Sequence, residues 1–444
     1  MKFIHLADLH LGKRVNGFPM LEDQAYILKQ ILMIIDEEKA DAVVIAGDIY
    51  DKPIPPAEAV NLFDDFLVGL TKRHVQVFAI SGNHDSAERI SYAGRILRES
   101  GVHISPRFQG AIEPVTVRDA YGPLHIYLIP YIHPSLVRHA FSSAAGASDN
   151  SKDGSLKERS DLSPARAEAD TSGSSDEISG EESASAENSR SGEPGGQSGA
   201  ALTPEKIATW TDAMRYLLSR SDVDPMARNI AVAHQFVTYA GTQPELSDSE
   251  ERHIGGLDNV DTSVFDAFDY VALGHLHGPQ RVGRDTIRYA GSPLPYSFSE
   301  EHQKKSVTVV EIKGKGDVSF RLIPLRPKRV MKTVRGSFAE LTDKAYTARL
   351  DPEDYYHVIL TDEEDIPNAL ARLRTAFYKN LMMIDYDNAR TNAESVIESE
   401  ADEREKEPIE VLGELYEKQN GRPMTELQSS VAERLIDAIW EGEA

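Results

Sequence analysis

The chain has 444 residues, of which 40% are apolar, no cysteine and a formal net charge of −24. This length can hold one large α/β domain with one or two smaller units, and the lack of cysteine excludes disulfides and thiolate-bound structural zinc. No apolar run is long enough to span a membrane, and Met1-Lys2 leads straight into an apolar segment without room for a signal peptide. We therefore expect a cytoplasmic protein with no membrane partner.

Short apolar runs that end in polar residues recur along the chain. They cover residues 3–7, 43–46, 75–80, 230–233 and 270–273. Their length and their β-branched and aromatic residues predict buried strands. Sheets flanked by helices bind ligands at the edge where their strands end, so we expect the polar residues to converge there.

The polar clusters that follow these runs are Asp8-Leu9-His10, Gly47-Asp48, Gly82-Asn83-His84-Asp85, His234 and Gly274-His275-Leu276-His277. In Asp8-x-His10 and His275-x-His277 the two ligands point to the same side if the chain stays extended, because the strand period is two. Carboxylates with imidazoles suit Mn²⁺, Fe²⁺ or Zn²⁺. We expect two adjacent divalent ions, with Asp48 as their bridge.

Two metal ions about 3.5–4 Å apart are the usual arrangement for displacement at phosphorus, so the pattern predicts phosphoester hydrolysis. Each motif alone has a simpler explanation. His234 alone suggests a core histidine, Asp8 or Asp48 a helix N-cap, and Gly82-Asn83 a turn. Their combination after five apolar runs favours the metal site.

The order Asp-x-His, Gly-Asp, Gly-Asn-His-Asp and Gly-His-x-His resembles the signature of the calcineurin-like metallophosphoesterases. Segments 5–12, 46–51, 272–277 and 289–294 narrow the resemblance to the SbcD family, the nuclease subunits of bacterial SbcCD complexes. The likeness covers residues 1–329 with one interruption. It implies an α/β fold: a metallophosphoesterase β-sandwich flanked by helices, with a small α+β cap domain and C-terminal helices.

The family pattern implies two ligand sets. One ion would be bound by Asp8, His10, Asp48 and His277, and the other by Asp48, Asn83, His234 and His275. His84 would be the catalytic histidine that stabilises the leaving oxygen, and Asp85 would fix its tautomer by accepting a ring N–H bond. The resemblance favours Mn²⁺ as the metal. Relatives outside bacteria often carry a second histidine where this chain has Asp51.

The negative net charge argues against a DNA enzyme. Most of it lies in two segments: residues 141–200 have a net charge of −7 and residues 391–444 a net charge of −10. The rest of the chain has a net charge of −7. The candidate contacts with the DNA backbone are Lys13, Arg14, Lys52, Arg89, Arg95, Lys304 and Lys305. Each of these residues, taken singly, is more often a solvated surface charge.

Residues 141–200 contain 16 Ser and 8 Gly with few large apolar side chains, which predicts a disordered insertion. It divides the phosphoesterase domain into residues 1–140 and 201–305. After it, Thr203 and Pro204 predict the start of an amphipathic helix running to Leu218. Short strands with a helix between them predict an α+β cap domain at 306–390.

An acidic linker is expected at 391–407, followed by amphipathic helices at 408–444. These helices either pack on the cap or dock onto a partner, and the resemblance implies the coiled-coil root of an SbcC-like ABC-type ATPase. The apolar segment Ala59, Val60, Leu62, Phe63, Phe66 and Leu67 is either a dimer surface or a helix buried on the sheet. The expected assembly is a homodimer within a heterotetramer.

The resemblance implies a manganese-dependent DNA nuclease regulated by an ATPase in DNA repair, recombination and replication. It would act as an exonuclease on duplex ends and as an endonuclease on single strands and hairpins. Only hydrolysis by two metal ions follows from the residues themselves. One alternative is a small-molecule phosphodiesterase or phosphomonoesterase with the same metal site, although such an enzyme would not require the cap and C-terminal helices. Another is a non-enzymatic scaffold that binds DNA ends, against which the complete ligand set argues.

Overall fold

The computed structural model describes residues 1–149, 202–250 and 259–388, together with 409, 412–413, 416, 423–425 and 428–432. The chain divides into two compact units, Met1–Lys332 and Thr333–Ala444. Within the described ranges, no helix is both long and apolar enough to cross a bilayer. Most of the predicted insertion, the acidic linker and most of the C-terminal helices lie outside the described residues. A helix runs from Pro134 to Asp149, so the start of the disordered insertion was predicted too early, at residue 141.

The strands before residue 130 are β1 (Lys2–Leu6), β2 (Arg14–Val15), β3 (Phe18–Pro19), β4 (Ala42–Ala46), β5 (Gln76–Ile80), β6 (Val102–Ile104), β7 (Val115–Asp119) and β8 (Gly122–Ile129). The later strands are β9 (Arg228–His234), β10 (Val237–Thr238), β11 (Val260–Asp261), β12 (Tyr270–Gly274), β13 (Gln280–Val282), β14 (Arg284–Tyr289), β15 (Ser306–Ile312), β16 (Val318–Pro324), β17 (Met331–Gly336), β18 (Tyr355–Leu360) and β19 (Leu381–Tyr386).

The helices are α1 (Leu21–Glu38), α2 (Ala57–Thr71), α3 (Ala87–Ile90), α4 (Gly94–Glu99), α5 (Pro134–Asp149), α6 (Trp210–Ser219), α7 (Phe338–Leu341), α8 (Lys344–Thr347) and α9 (Ala369–Ala376). Short 3₁₀ segments cover Pro204–Lys206, Thr262–Phe265 and Phe298–Glu300.

The first unit contains two sheets that pack face to face as a β-sandwich. One sheet runs in the order β16-β15-β1-β4-β5-β6, and β1, β4, β5 and β6 in it are parallel. The other runs β13-β14-β12-β9-β8-β7, with β14, β12, β9 and β8 parallel. The five predicted strands are β1, β4, β5, β9 and β12, so these predictions are confirmed.

The central strands are buried on both faces, which explains their continuous apolar sequences. In β9, Ile230 and Val232 pack in the core between the sheets, which includes residues from both of them. Ala231 and Ala233 pack on the opposite face, in a core that includes Met214 of α6. Strands covered on both faces read as apolar runs without polar alternation.

Helix α2 buries one face within its own subunit. Its side chains Ala59, Phe63 and Phe66 are buried, and the helix contacts α1 and β5. The sequence left open whether this segment is a dimer surface or a helix buried on the sheet. Burial on the sheet accounts for the face that carries Ala59, Phe63 and Phe66. Val60 and Val68 are 42% and 39% exposed on the remaining surface. The homodimer stays a prediction, which light scattering of the purified protein tests.

Two strands predicted for the cap domain belong to the first unit instead. Strand β15 pairs antiparallel with β1, and β16 pairs with β15. Val310 and Ile312 of β15 contribute to the core between the sheets. The boundary between units lies after Lys332, not after residue 305, because these strands bury their apolar side chains in the sandwich.

The second unit has its own small core. Its sheet runs β17-β18-β19, and α9 contacts β19. Leu341, Tyr356, Leu373 and Tyr378 are fully buried in this core. Strands with helices between them give the α+β architecture predicted for this part of the chain.

A capping box sets the start of α6. The Asp212 backbone N–H donates to the Thr209 side chain, and the Asp212 carboxylate accepts the Thr209 backbone N–H. The helix predicted from Thr203 is therefore wrong at its start, where only a single 3₁₀ turn forms. The extended backbone of Ile207 separates that turn from α6.

Candidate metal centre

The ends of the parallel strands from both sheets meet at one site. The Nδ1 of His234, at the end of β9, donates to the carbonyl oxygen of Ala46, at the end of β4, at 2.8 Å. The backbone N–H of His275, just after β12, donates to the Asp8 carboxylate at 3.0 Å. These hydrogen bonds join the two sheets at the edge that the sequence predicted.

Several site residues follow their strands in a strained backbone conformation. Positive φ angles occur at Asp8 (53°), His10 (44°), Asp48 (48°) and His275 (108°). Such angles cost about 1–3 kcal/mol per non-glycine residue and cluster at functional sites. The sequence argument that each Asp-x-His or His-x-His pair points to one side required an extended chain, and that condition is not met at Asp8, His10 and His275. Backbone N–H groups of Asp8 and His10 instead donate to the carbonyls of Gly47 and Asp48, at 3.1 and 3.0 Å, and these bonds set the turn.

Asp48 lies at the centre of the site. Its Oδ2 is 3.3 Å from His234 Nε2, 3.6 Å from His10 Nε2 and 4.0 Å from His84 Nε2. Its Oδ1 accepts the His84 backbone N–H at 2.9 Å. One carboxylate oxygen thus faces imidazoles from three separate chain segments.

The carboxylates and imidazoles form overlapping groups whose ligand atoms lie within 4.8 Å of one another: Asp8, His10 and His277; Asp8, Asp48 and His234; and His10, Asp48 and His84. Asn83 Oδ1 lies 2.9 Å from His234 Nε2 and 3.2 Å from His275 Nδ1. The structure therefore brings together every residue that the sequence predicted as a metal ligand.

The donor atoms fit a metal cation. Nε2 of His10 and Nε2 of His277 face each other at 3.1 Å. Among the described residues, the buried Nδ1 of His10 has no hydrogen-bond partner. The two facing Nε2 atoms could both donate their lone pairs to one cation, provided that each imidazole is neutral.

Burial opposes charge on most of these groups. It raises the pKa of the Asp8 carboxyl to about 7 and holds the pKa of the His10 imidazole well below its usual value. Burial also opposes ionisation of Asp48, but the neighbouring imidazoles, led by His234, outweigh it and lower the Asp48 pKa. Burial also lowers the pKa of the His234 imidazole, but the Asp48 carboxylate outweighs it and raises that pKa to about 9. A cation bound by His234 therefore takes the place of a proton on that ring, because metal binding requires the neutral imidazole.

His84 and Asp85 do not interact as the sequence predicted. The Nδ1 of His84 donates to the Asp51 carbonyl oxygen at 3.1 Å. Asp85 instead accepts backbone N–H bonds from Ile49, Tyr50 and Gly82 at 2.9–3.0 Å. The predicted tautomer-fixing role of Asp85 is therefore wrong, because these backbone donors occupy its carboxylate. Asp85 joins the loop after β4 to the loop after β5.

The predicted DNA contacts differ in their surroundings. Lys13 Nζ donates to Asp51 Oδ1 at 2.7 Å, and Arg14 donates to the Gly17 carbonyl. Lys52 and Arg89, like Arg95 and Lys304, are exposed. Lys305 is wrong as a DNA contact, because it is 5% exposed and paired with Glu300.

Two residues that the sequence did not single out hold the turn between Asp8 and His10. The Gln24 side chain donates to the His10 carbonyl at 2.7 Å. The Tyr296 hydroxyl donates to the Leu9 carbonyl, and its ring centroid lies 5.5 Å from that of His10. Tyr296 lies two residues beyond the family-like segment 289–294, which was the one local signal near it.

Gly274 is required where the two sheets approach each other. A Cβ atom there would lie 1.9 Å from the Ala46 carbonyl oxygen. We expect Gly274→Ala to separate the ends of β4 and β12, to weaken Mn²⁺ binding and to destabilise the fold by about 1–3 kcal/mol or more. Isothermal titration with Mn²⁺ and denaturant unfolding measure the two effects.

Gly278→Ala is the matched control, because the nearest described atom to its added Cβ would be 3.5 Å away, an ordinary contact. Equal Mn²⁺ affinities in the two variants would contradict the requirement for close approach at Gly274.

Comparisons with known proteins found similar sequences. Residues 1–146 match the calcineurin-like phosphoesterase family, and residues 327–420 match the type 5 capsule protein repressor C-terminal domain. The SbcCD nuclease subunit SbcD of Staphylococcus epidermidis (strain ATCC 12228 / FDA PCI 1200) is 26% identical over 450 residues, covering 100% of each chain. A dimetal phosphatase from Danio rerio is 13% identical with a TM-score of 0.33, covering 73% of this chain and 99% of its own.

The matched N-terminal segment contains Asp8, His10, Asp48, Asn83 and His84, and the relative from Staphylococcus epidermidis aligns over the whole chain. The chain is therefore similar to calcineurin-like phosphoesterases over residues 1–146 and to an SbcCD nuclease subunit over its whole length, and it contains a group of residues that could bind a metal ion.

Proposed function

We propose that this chain is a metal-dependent DNA nuclease of the SbcCD type, in which Asp48 bridges two divalent cations. The observation that carries the proposal is the position of Asp48 Oδ2, 3.3 Å from His234 Nε2 and 3.6 Å from His10 Nε2. A ligand that bridges two cations must lie between the donors of both, and these two histidines come from different sheets. Two bound cations would supply an activated water and neutralise charge on the phosphate oxygens.

The proposed ligands of one cation are Asp8, His10, Asp48 and His277, and those of the other are Asp48, Asn83, His234 and His275. The overlapping groups around Asp48 support the first set, and the contacts of Asn83 Oδ1 with His234 and His275 support the second. The donors are carboxylate, amide and imidazole, which suit Mn²⁺, Fe²⁺ or Zn²⁺. Among these we propose Mn²⁺, because the resemblance to SbcD-type nucleases favours it.

His84 is proposed as the group that contacts the leaving oxygen. Its Nδ1–H is held by the Asp51 carbonyl, so Nε2 is the atom that remains for the substrate. Its side chain is 27% exposed, whereas that of His10 is 2% exposed and that of His234 is fully buried. An imidazole in this place can protonate the leaving oxygen or stabilise its charge.

The proposed substrate is DNA, cut from duplex ends by an exonuclease activity and within single strands and hairpins by an endonuclease activity. These activities would serve DNA repair, recombination and replication. The full-length likeness to an SbcCD nuclease subunit supports this choice. Four of the predicted backbone contacts are exposed and remain candidates, whereas Lys13 and Arg14 already donate to other groups of the chain. The four are Lys52, Arg89, Arg95 and Lys304.

Cleavage of a hairpin duplex, compared with hydrolysis of p-nitrophenyl phosphate in Mn²⁺, tests the proposal. We expect hairpin cleavage that EDTA abolishes, and only slow release of nitrophenol. Efficient hydrolysis of p-nitrophenyl phosphate with an intact hairpin would favour the small-molecule phosphoesterase. Hairpin binding without hydrolysis of either substrate would favour the end-binding scaffold.

An SbcC-like ABC-type ATPase is the proposed partner, docking on the amphipathic residues of 408–444. We expect truncation after Asn392 to preserve Mn²⁺ binding and cleavage of short single strands. The truncation should abolish co-purification with the ATPase and the ATP-dependent cutting of duplex ends. The reason is the loss of Leu435 and Trp440, since interface anchors of this kind commonly contribute about 2 kcal/mol or more.

Co-expression of tagged ATPase with the full-length or the truncated chain measures this effect. A stable complex with the truncated chain would place the docking surface elsewhere. Loss of basal cleavage together with the partner would assign the C-terminal residues to the nuclease fold.

A further inference from the structure

A buried ion pair lies next to His277, at the ring nitrogen that does not face His10. Glu300 is 1% exposed and Lys305 is 5% exposed. Lys305 Nζ donates to Glu300 Oε2 at 2.5 Å, and Glu300 Oε1 lies 3.3 Å from His277 Nδ1. The pair therefore connects directly to a proposed metal ligand.

Ser249 adds a second path between the same groups. The Nδ1 of His277 lies 2.8 Å from Ser249 Oγ, and the Ser249 hydroxyl donates to Glu300 Oε1. A carboxylate can only accept hydrogen bonds, so both paths require the proton of neutral His277 to be on Nδ1. Its Nε2 then carries the lone pair, and this is the atom that lies 3.1 Å from His10 Nε2 in the metal centre.

Lys305 holds His277 at a different point. Its ammonium nitrogen also lies 2.9 Å from the His277 carbonyl oxygen, 2.9 Å from Ser292 Oγ and 2.8 Å from Gln303 Oε1, so its three N–H groups are shared among four acceptors including Glu300. Glu300 thus orients the ring of His277, while Lys305 fixes its main chain. The two charges neutralise each other in a place from which water is excluded.

We propose that Glu300 is a positioning residue for metal binding, which fixes the tautomer and ring direction of His277, and that Lys305 holds Glu300 in place. The inference rests on the proposed function, because it takes His277 as a ligand of one cation. A metal-ligating histidine whose other N–H meets a carboxylate is held in one orientation and is a stronger base. Loss of such a partner typically costs about 10–100-fold in metal affinity.

A purely structural ion pair is the competing explanation. Buried pairs are often replaceable by apolar residues of similar volume without loss of stability, whereas removal of one partner leaves a costly unpaired charge. Replacement of both residues therefore separates the two explanations. An apolar pair can restore the fold, but it cannot accept the Nδ1 proton of His277.

The experiment is a Mn²⁺ titration of the full chain with Glu300→Leu/Lys305→Met, Glu300→Gln and the wild type. We expect two ions in the wild type. In the double variant, one ion should bind about 10–100-fold more weakly and the other with unchanged affinity, while the melting temperature stays near that of the wild type. Glu300→Gln keeps an acceptor oxygen but loses the charge, so its effect on the same ion should be smaller.

Asp119→Asn is the matched control, because it breaks an ion pair outside the metal centre. Asp119 lies on strand β7, and its Oδ1 is 2.8 Å from Nη1 of Arg228. It should lower stability and leave both Mn²⁺ affinities unchanged. As a second measurement, ¹⁵N shifts of labelled histidine in the metal-free protein should show Nδ1–H for His277 in the wild type. They should show a mixture of tautomers in the double variant.

Wild-type affinity for both ions in the double variant, or an unchanged His277 tautomer, would overturn the positioning role and leave the proposed function intact. If Glu300→Leu/Lys305→Met does not fold, wild-type Mn²⁺ affinities in Glu300→Gln together with an unaltered ¹⁵N signal would also overturn it. Failure of the wild type to bind two ions would overturn the proposed function itself.

Discussion

Replacing His84 with alanine is expected to lower the rate of phosphodiester cleavage by about 10²–10⁴-fold, the range typical of a positioned acid or base. Both cations should remain bound, because the change leaves every proposed ligand in place. His84 Nδ1 is held by the Asp51 carbonyl, and its side chain is 27% exposed beside the buried ligands. Single-turnover cleavage of a hairpin at saturating Mn²⁺ measures the rate, and elemental analysis after desalting measures the bound metal.

His125→Ala is the control for removing an imidazole. His125 lies on β8, and its Nδ1 is 2.8 Å from Thr116 Oγ1, away from the ligand groups. It should have wild-type rate and metal content. Loss of metal from His84→Ala would instead make His84 a ligand, since its Nε2 lies 4.0 Å from Asp48 Oδ2 in one of the candidate groups.

Asp48→Ala is expected to lose both cations and to reduce cleavage to the level of a metal-free sample. The variant removes the oxygen that faces His234 at 3.3 Å and His10 at 3.6 Å. It also removes the acceptor of the His84 backbone N–H, at 2.9 Å, so the loop that carries His84 loses an anchor. Mn²⁺ titration and elemental analysis measure the number of bound ions.

Asp41→Ala is the matched control, because Asp41 lies just before the opposite end of the same strand, β4. Its carboxylate accepts the Lys2 backbone N–H at 2.7 Å, remote from the ligand cluster. This variant should bind two ions. If Asp48→Ala retained one ion with near-wild-type affinity, Asp48 would belong to a single ion and would not be the bridge.

The location of the site was predictable from the order of residues along the chain. The apolar runs at 3–7, 43–46, 75–80, 230–233 and 270–273 form strands, because strands covered on both faces need continuous apolar side chains. Since these strands are parallel within each sheet, the polar residues after them reach the same edge. An apolar run followed by polar residues can be recognised within each segment by itself. For this reason Asp8, Asp48, Asn83 and His234 could be grouped without a structure.

The hydrogen-bond partners at the site were not predictable in the same way. Asp85 binds the backbone of Ile49 and Tyr50 instead of His84, and Lys305 binds Glu300 and His277 instead of facing solvent. Each of these hydrogen bonds depends on how loops from different strands pack against one another. No local sequence pattern predicts that packing.

Sequence alone predicted the five strands that end at the site, the convergence of their polar residues at one edge and the chemistry that the donors suit. Only the tertiary structure decided that β15 and β16 complete the first sheet and that Asp8 and His10 turn through positive φ angles. It also decided that the Glu300 carboxylate lies beside Nδ1 of His277. The physical reason is that apolar periodicity reports only whether a face is buried. Which residue packs against that face depends on residues far away in the chain. The same distant residues supply the hydrogen bonds that hold Asp8 and His10 at positive φ angles.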